Sequence, residues 1–223
     1  MALPRVIVFS TMTIDGRIAS KTRYSQLSCP YDLKRLHELR AQCDAIMVGA
    51  NTIIIDDPSL RLKYVEGRNP DRIVIDGLLR TPLTARVYTL RISKTIVLTT
   101  KSAPQEKVEK LREMGVEVLA LSERPPIDMR RAMEVLDSLG YRTVMVEGGG
   151  NLIWHLFKDR VVNELRVTIA PYIFGGRDAV SLVMGDGFST TEESPVFELK
   201  SVSRCPCGNE VHLVYDVKYR DEN

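Results

Sequence analysis

The sequence predicts an α/β fold with a mixed, mainly parallel sheet that carries helices on both faces. Short apolar runs such as "DAIMVGA", "DRIVIDG" and "KTIVLTT" show little polar alternation, as strands buried on both faces do. Helix-like segments alternate with these runs. The chain closes with two alternating segments, "VFELKSVSRC" and "EVHLVYDVKY", separated by the turn-like "PCGN". A C-terminal antiparallel hairpin is therefore predicted.

The first third of the chain supplies two strands and two helices. "RVIVFSTMTIDGRIAS" predicts a strand that breaks at Asp15-Gly16. "DLKRLHELR", residues 32–40, has leucines at helical spacing and predicts an amphipathic helix. A buried strand, "DAIMVGA", follows it. In "NTIIIDDP", either Asn51 or Thr52 could cap a short helix.

The rest of the chain repeats the pattern of strand and helix. "VEVLAL", "RTVMVE" and "ELRVTIAPYIF" predict strands. "PQEKVEKLREMG" and "DMRRAMEVLDSLG" predict helices that end at Gly115 and Gly140, and "LIWHLFKD" looks helical as well. Because no repeat or change of composition marks a linker, residues 1–223 are predicted to form a single domain.

The charge balance excludes partners that need a strong field. Lys and Arg total 31 and Asp and Glu 29, a formal net charge of +2. Nucleic acid and membrane surfaces are therefore not expected as partners, and an anionic ligand must be held by local groups. No apolar run reaches membrane-spanning length, and the N-terminal run is too short for a signal sequence. A cytoplasmic protein is expected.

The metal-ligating residue types do not form a familiar motif. Of the four cysteines, Cys29, Cys43, Cys205 and Cys207, only the last two are close in sequence, and the single proline between them restricts tetrahedral convergence. The three histidines are scattered and show no zinc-binding spacing. We predict no metal site and free thiols in a reducing compartment.

The stretch "VMVEGGGNLIWHLF", residues 144–157, places three glycines between a strand and a helix. Glycines let the backbone approach an anion closely, and the first N–H groups of a helix carry partial positive charge. A plain turn would need fewer glycines, so anion binding is favoured. The stretch has neither the Gly-x-Gly-x-x-Gly fingerprint nor the Lys-Ser/Thr of a P-loop.

Carboxylates follow two of the predicted strands, at the carboxyl edge of the sheet. Glu147 ends an apolar strand directly before the glycines, where α/β proteins bind ligands, and it either faces a ligand or bonds a neighbouring loop. "VGANTIIIDDPSL" presents Thr52 and the pair Asp56-Asp57 in the same way. Adjacent carboxylates point apart, so a helix-end role and a ligand role both stay open for this pair.

Nucleophiles and bases are scarce, since no Gly-x-Ser-x-Gly elbow and no paired histidines occur. A reaction whose reactive atom comes from a cofactor needs the protein mainly for alignment and electrostatics. The sequence is compatible with hydride transfer of this kind.

Four blocks in order, "STMTIDGRIAS", "LRAQCDAIMVGANTIIIDDPSLRLK", "RNPDRIVIDGLLRTPLTARV" and "VEGGGNLIWHLF…APYIFGGRDA", resemble the riboflavin-biosynthesis reductases with a dihydrofolate-reductase-like fold. The likeness runs from about residue 5 to the end of the sequence. The deaminase motifs His-x-Glu and Pro-Cys-x-x-Cys of the bifunctional bacterial enzymes are absent, so the chain looks like the stand-alone archaeal and fungal reductases.

The resemblance implies an enzyme, an NADPH-dependent oxidoreductase, with NADH as a weaker cofactor. Its substrate would be 2,5-diamino-6-ribosylamino-4(3H)-pyrimidinone 5′-phosphate, whose ribosylamino group becomes ribitylamino. Three alternatives stay open: the deaminated 5-amino-6-ribosylamino-uracil 5′-phosphate as substrate, a pterin or folate reductase, and a non-catalytic nucleotide-binding protein. The family also implies a homodimer, to which the C-terminal hairpin could contribute.

The resemblance also implies a cofactor site. Pyrophosphate would lie on Gly148, Gly149, Gly150 and Asn151, while Thr52 and Asp56 would contact the cofactor from the opposite loop, and Asp76 and Gly77 would lie along its adenosine side. Arg72 and Arg80 are candidates for its 2′-phosphate.

The substrate would be held by Ser25, Arg40, Leu60 and Lys63, with Glu147 as the catalytic residue that faces the pyrimidine or ribose. Arg40 suits a phosphate because a guanidinium binds it bidentately. Without the resemblance, Arg40 would be interpreted as a solvated charge at a helix end. Leu27, where bacterial relatives have an aromatic residue, and Asn151 depart from the family pattern and affect packing on the nicotinamide side.

Overall fold

The computed structural model describes residues 3–220 of the chain. The strands of these residues are β1 Arg5–Thr13, β2 Arg17–Ala19, β3 Ala45–Gly49, β4 Asp71–Ile75, β5 Thr95–Thr100, β6 Glu117–Ser122, β7 Thr143–Val146, β8 Glu164–Ala170, β9 Val180–Ser181, β10 Val196–Arg204 and β11 Val211–Lys218. The helices are α1 Pro30–Gln42, α2 Ala50–Asp56, α3 Arg86–Thr89, α4 Gln105–Glu113, α5 Met129–Ser138 and α6 Gly150–Lys158.

Nine of these strands form one sheet in the order β10-β11-β8-β1-β7-β3-β4-β5-β6. The strands from β8 to β6 are mutually parallel, whereas β11 runs antiparallel to β8 and to β10. The predictions of a mainly parallel mixed sheet and of a C-terminal hairpin are confirmed. Strand β7 returns late in the chain to lie between β1 and β3. The order of the chain therefore reverses at β7, and such reversals open crevices at the carboxyl ends of strands.

Helices cover both faces of the sheet because its strands are apolar on both sides. Helices α5 and α6 pack on one face, where Met133 and Ile153 join Val8 and Met47 in a core. Helices α2, α3 and α4 pack on the opposite face in a second core. Helix α1 lies on that second face as well, over β1 and β7, through Leu39.

Helix α1 is longer than predicted and buries a different set of side chains. It begins at Pro30, and the Sγ of Cys29 accepts a hydrogen bond from the backbone N–H of Asp32 as its N-cap. Its buried residues include Asp32, His37 and Arg40, whereas Leu33 is only half-buried. The leucine spacing identified the helix correctly but not which polar side chains it buries.

The helix ends match the sequence in part. The N-cap of helix α2 is Gly49, two residues before Asn51 and three before Thr52, so the assignment of a capping role to Asn51 or Thr52 was wrong. Gly115 and Gly140 each lie one residue beyond a helix C-cap with φ of +83° and +91°, which is the left-handed conformation predicted for helix-ending glycines.

Strand β10 forms an edge of the sheet and is exposed along almost its whole length. Leu199 and Val202 are 56% and 57% exposed. Within residues 3–220, no helix is both long enough and apolar enough to cross a membrane.

Candidate functional site

A cleft of about 1070 Å³ lies at the carboxyl edge of the sheet, where β1, β3, β4 and β7 end. This is the position at which open parallel sheets bind ligands, and it coincides with the reversal of chain order at β7. The volume is slightly above the usual range of about 300–1,000 Å³ for ligand pockets. The cleft therefore has room for more than one small ligand.

One wall of the cleft is the N-terminus of α6. Gly149 is its N-cap, no side chain caps it, and its first turn carries no acidic residue. The first intrahelical bond runs from the backbone N–H of Ile153 to the carbonyl of Gly149, so the N–H groups of the preceding turn have no acceptor within the helix. Gly149, Gly150 and Asn151 line the cleft. This arrangement is suited to an anion.

The three glycines differ in what a side chain would meet at their positions. Gly148 has φ +110°, a conformation that side chains disfavour, and the Gly148–Gly149 peptide bond is cis. At Gly150 an added Cβ would lie 2.5 Å from the carbonyl oxygen of Ser181, so only glycine allows this loop to approach the helix. At Gly149 an added Cβ would meet only the Oγ1 of Thr52, at an ordinary 3.5 Å. Gly149 is therefore the glycine whose lack of a side chain keeps the cleft itself open.

A buried ion pair lies behind the cleft surface. The Nε and Nη2 atoms of Arg40 donate to the two carboxylate oxygens of Glu147, each at 2.6 Å. The Nη1 atom donates to the carbonyl of Arg61 at 2.8 Å. Arg40 is 7% exposed, so its interpretation as a solvated helix-end charge was wrong. Glu147 lines the cleft and Arg40 holds its carboxylate from behind.

The loop of residues 20–29 faces helix α2 across the cleft. The hydroxyl of Ser25 donates to the Oδ1 of Asp56 over 3.3 Å, and Thr52 lies on the same helix one turn earlier. All three residues line the cleft. Desolvation raises the pKa of Asp56, and the hydrogen bond from Ser25 opposes that rise.

Of the two residues predicted to bind substrate after α2, Leu60 and Lys63, only Leu60 lines the cleft. Leu60 is buried, lines the cleft and has φ +50°. Lys63 is exposed and lies outside the residues that line the cleft, but its backbone N–H donates to the Nδ1 of His37 at 3.2 Å. Burial, together with the charges of Arg40 and Lys63, lowers the pKa of His37 to about 4.

The two arginines predicted as candidates for the 2′-phosphate, Arg72 and Arg80, lie in different places. Arg72 is 2% exposed at the amino end of β4, opposite the cleft edge, and donates to the carbonyl of Ser93, so its candidacy for a 2′-phosphate was wrong. Arg80 is exposed, lines the cleft and donates to the Oδ1 of Asn51 at 2.9 Å. Arg80 remains the candidate.

Asp76 and Gly77 both lie in the cleft wall. The Oδ2 of Asp76 accepts hydrogen bonds from the backbone N–H and the hydroxyl of Thr81, at 2.8 and 2.9 Å, so it closes the turn that follows β4. A Cβ on Gly77 would lie 3.0 Å from the ring of Pro125. The wall here is therefore tightly packed, and Asp76 has a structural task besides the one predicted.

The sequence did not single out the polar residues where β1 ends. The hydroxyl of Thr11 lies 2.8 Å from that of Ser28 and donates to the buried carboxylate of Asp32 at 2.7 Å. Asp32 also accepts from Thr168 at 2.6 Å. Thr11 and Ser28 line the cleft. Their position after an apolar strand was the available signal, since the carboxyl ends of parallel strands share one edge.

Comparison with known proteins shows which family the chain belongs to. The chain matches the model of the RibD C-terminal domain over residues 4–213. It is 40% identical over 218 residues to the 2,5-diamino-6-ribosylamino-4(3H)-pyrimidinone 5′-phosphate reductase of Methanothermobacter thermautotrophicus, covering 96% of this chain and 99% of that protein.

Solved structures show the same fold. RibD of Acinetobacter baumannii superposes with a TM-score of 0.80 at 22% identity, over 97% of this chain and 58% of that one. Dihydrofolate reductase of Enterococcus faecalis superposes with a TM-score of 0.54 at 15% identity, over 96% and 97% of the two chains. The predicted dihydrofolate-reductase-like fold is confirmed.

Proposed function

The chain belongs to the family of RibD C-terminal domains and is an oxidoreductase of riboflavin biosynthesis, and on this premise we propose that it reduces 2,5-diamino-6-ribosylamino-4(3H)-pyrimidinone 5′-phosphate to the ribitylamino form with NADPH. The similarity to the reductase of Methanothermobacter thermautotrophicus supports the diamino substrate, because the two chains match over nearly their full lengths. The observation that carries the proposal is a single cleft lined by Glu147 and by the uncapped N-terminus of α6, with Arg40 holding the Glu147 carboxylate from behind.

The residues of the cleft fit a nicotinamide dinucleotide. The N–H groups of the first turn of α6 would hold its pyrophosphate, because they are uncapped and Gly149 leaves space above them. Thr52 and Asp56 would contact it from α2, and Gly77 and Asp76 would flank its adenosine. Arg80 would bind the 2′-phosphate, which favours NADPH over NADH.

The substrate phosphate would lie near Ser25, Leu60 and Lys63. A guanidinium has five N–H donors, and three of those of Arg40 are used by Glu147 and Arg61. Two donors are left for a phosphate oxygen. Arg40 would thus bind the phosphate and hold the catalytic carboxylate at once.

The reaction needs a hydride at the carbon of the ring-opened imine and a proton at its nitrogen. A bound reduced nicotinamide supplies the hydride. Glu147 would accept hydrogen bonds from the pyrimidine or ribose, and the two bonds from Arg40 fix the orientation of its carboxylate before the substrate arrives. The apolar floor of the cleft, which includes Phe9 and Ile75, would limit access of water to the imine.

The proposal extends to assembly and location. A homodimer is supported by the exposed apolar side chains of the edge strand β10, Leu199 and Val202 among them. A cytoplasmic location is supported by the four free cysteines, which persist in a reducing compartment.

An absorbance assay with the two pyrimidine substrates and dihydrofolate, each with NADPH and with NADH, tests the function. Oxidation of NADPH only when the diamino substrate is present supports the proposal. Preference for the deaminated pyrimidine reassigns the substrate, and turnover with dihydrofolate makes the protein a folate reductase. Binding of NADPH without oxidation by any of these substrates makes it a non-catalytic nucleotide-binding protein.

A further inference from the structure

Three of the four cysteines converge at a point that the sequence does not reveal. Cys29 lies at the N-cap of α1, whereas Cys205 and Cys207 lie in the turn between β10 and β11. The Sγ atoms of Cys29 and Cys205 are 3.5 Å apart. Together with a carboxylate oxygen of Glu210, the three sulfurs form a group whose ligand atoms all lie within 4.8 Å of one another.

The spacing matches a tetrahedral metal centre. Zinc–sulfur bonds of about 2.3 Å at tetrahedral angles place neighbouring sulfurs about 3.8 Å apart. The distance between Cys29 and Cys205 is slightly shorter than this, and the other distances between ligand atoms are at most 4.8 Å. A contraction of roughly 1 Å or less therefore completes a tetrahedral site. The backbone of the turn is already fixed, because the N–H of Gly208 donates to the carbonyl of Cys205 and the N–H of Cys205 donates to the carbonyl of Glu210.

Glu210 gives a second, independent indication of a ligand. It is 2% exposed, and its Oε1 accepts a hydrogen bond from the backbone N–H of Cys29 at 2.8 Å. Its Oε2 is buried and has no hydrogen-bond partner within residues 3–220. A buried carboxylate oxygen without a partner is costly, and a cation bound by the Glu210 carboxylate together with the three sulfurs would remove that cost.

A redox-active pair explains the group less well. A disulfide would use two of the three sulfurs and would leave the third sulfur and the carboxylate oxygen of Glu210 unaccounted for. We therefore propose that Cys29, Cys205, Cys207 and Glu210 bind one Zn²⁺ ion in a structural site, with the three thiols losing their protons as the ion binds. This site is separate from the cleft, and its existence does not depend on the activity proposed above.

The site would join two parts of the fold that are far apart in sequence. It ties the N-terminus of α1 to the tip of the C-terminal hairpin, and thereby anchors the loop of residues 20–29. Ser28 precedes Cys29 directly and lines the cleft, as does Ser25. Zinc would thus hold the substrate side of the cleft in place.

Metal binding can be tested on the whole protein without an activity assay. Protein prepared metal-free under anaerobic reducing conditions is expected to bind one Zn²⁺ per chain and to melt at a higher temperature with the ion bound. Co²⁺ at the same site should show the visible bands of tetrahedral cobalt and a thiolate charge-transfer band. Zn²⁺ should protect Cys29, Cys205 and Cys207 from alkylation and leave the labelling of Cys43 unchanged.

Variants separate a specific site from adventitious binding. Changes to outer partners of a metal ligand cost about 10–100-fold in affinity, so loss of a ligand in Cys207→Ser should exceed about 100-fold. Cys207 is only half-buried, which favours folding of this variant, and the isosteric Glu210→Gln provides a second probe. The control Cys43→Ala should bind as the wild type does. Absence of the cobalt charge-transfer band, equal Zn²⁺ affinity in Cys207→Ser, or a Cys29–Cys205 disulfide in the anaerobic protein would each overturn the proposal.

Discussion

The guanidinium of Arg40 and the carboxylate of Glu147 face each other through two contacts of 2.6 Å, although the residues are 107 positions apart in the chain. The pair joins the last turn of α1 to the residue that follows β7. It therefore couples the packing of a helix to the position of the carboxylate that we propose to face the substrate.

We expect the contributions of Arg40 and Glu147 to the free energy of unfolding to depend strongly on each other. Removal of one partner leaves the other charge buried, so Arg40→Met should lower the free energy of unfolding by about 3 kcal/mol. Glu147→Gln should be costly on its own, and the double variant Arg40→Met/Glu147→Gln should lose less than the sum of the two. Urea unfolding of all four proteins measures the coupling. Additive losses would show that the two contacts contribute little.

The same arginine should also affect substrate affinity. Arg40→Ala is expected to weaken substrate binding by about 2–5 kcal/mol while the KM for NADPH changes little, because a phosphate contact and the position of Glu147 are lost together. Steady-state kinetics at low temperature, with the folded fraction checked by circular dichroism, measures this. Arg131→Ala, on the exposed surface of α5, is the control. An unchanged substrate KM would contradict the phosphate role.

Gly149 should be the glycine of the triplet that matters for the cofactor rather than for the fold. Its φ of −84° suits any residue, so Gly149→Ala is expected to change the free energy of unfolding by less than about 0.5 kcal/mol. Its methyl group would stand over the helix N-terminus and raise the Kd for NADPH on the order of tenfold, since about 1.4 kcal/mol is lost with one charge-assisted hydrogen bond.

Gly150→Ala is the matched comparison, because its Cβ would collide with the backbone of Ser181. It should lower stability in a urea titration. Calorimetric titration of Gly149→Ala with NADPH checks the cofactor prediction, and wild-type affinity in that variant would exclude pyrophosphate binding at the α6 N-terminus.

Arg80 should distinguish the two nicotinamide cofactors. Arg80→Ala removes an exposed guanidinium from the cleft wall and should raise the KM for NADPH about tenfold while the KM for NADH stays nearly constant. Arg86→Ala, an exposed arginine of the nearby α3, should leave both constants unchanged. An equal effect on the two cofactors would remove Arg80 from the 2′-phosphate site.

His37 should make the fold sensitive to mild acid. Its pKa is about 4 in the folded protein, against an ordinary value near 6.5, so between these pH values the unfolded chain binds a proton that the folded chain does not. The free energy of unfolding should therefore decrease as the pH is lowered. From pH 7 to pH 5 this residue alone should account for a loss of about 2 kcal/mol.

The variant His37→Asn keeps an acceptor for the N–H of Lys63 and cannot titrate. It should lose about 2 kcal/mol less than the wild type over the same range in urea unfolding. His212, whose pKa burial also lowers, is present in both proteins and cancels in the comparison. Parallel pH curves for the two proteins would show that folding does not lower the pKa of His37.

The features that could be predicted from the sequence are those encoded over short distances. The apolar runs predicted a parallel sheet, and "EGGGN" predicted a strand, a turn and a helix N-terminus, because each depends on neighbouring residues. The burial of Arg40 and the convergence of Cys29 with Cys205 could not be predicted in this way. Both arise from contacts across more than 100 residues, and the helix spacing around Arg40 is the same for a solvated charge as for a buried one.

The late insertion of β7 also bears on the order in which the protein can assemble. Strands β1 and β3 form early in the chain but cannot complete their shared region of the sheet until residues 143–146 are placed between them. Contacts of such long sequence separation are slow to form. During synthesis, the first 140 residues therefore hold strand β1 apart from the sheet of β3, β4, β5 and β6, and the cleft comes into existence only when the "VMVEGGG" segment closes the gap.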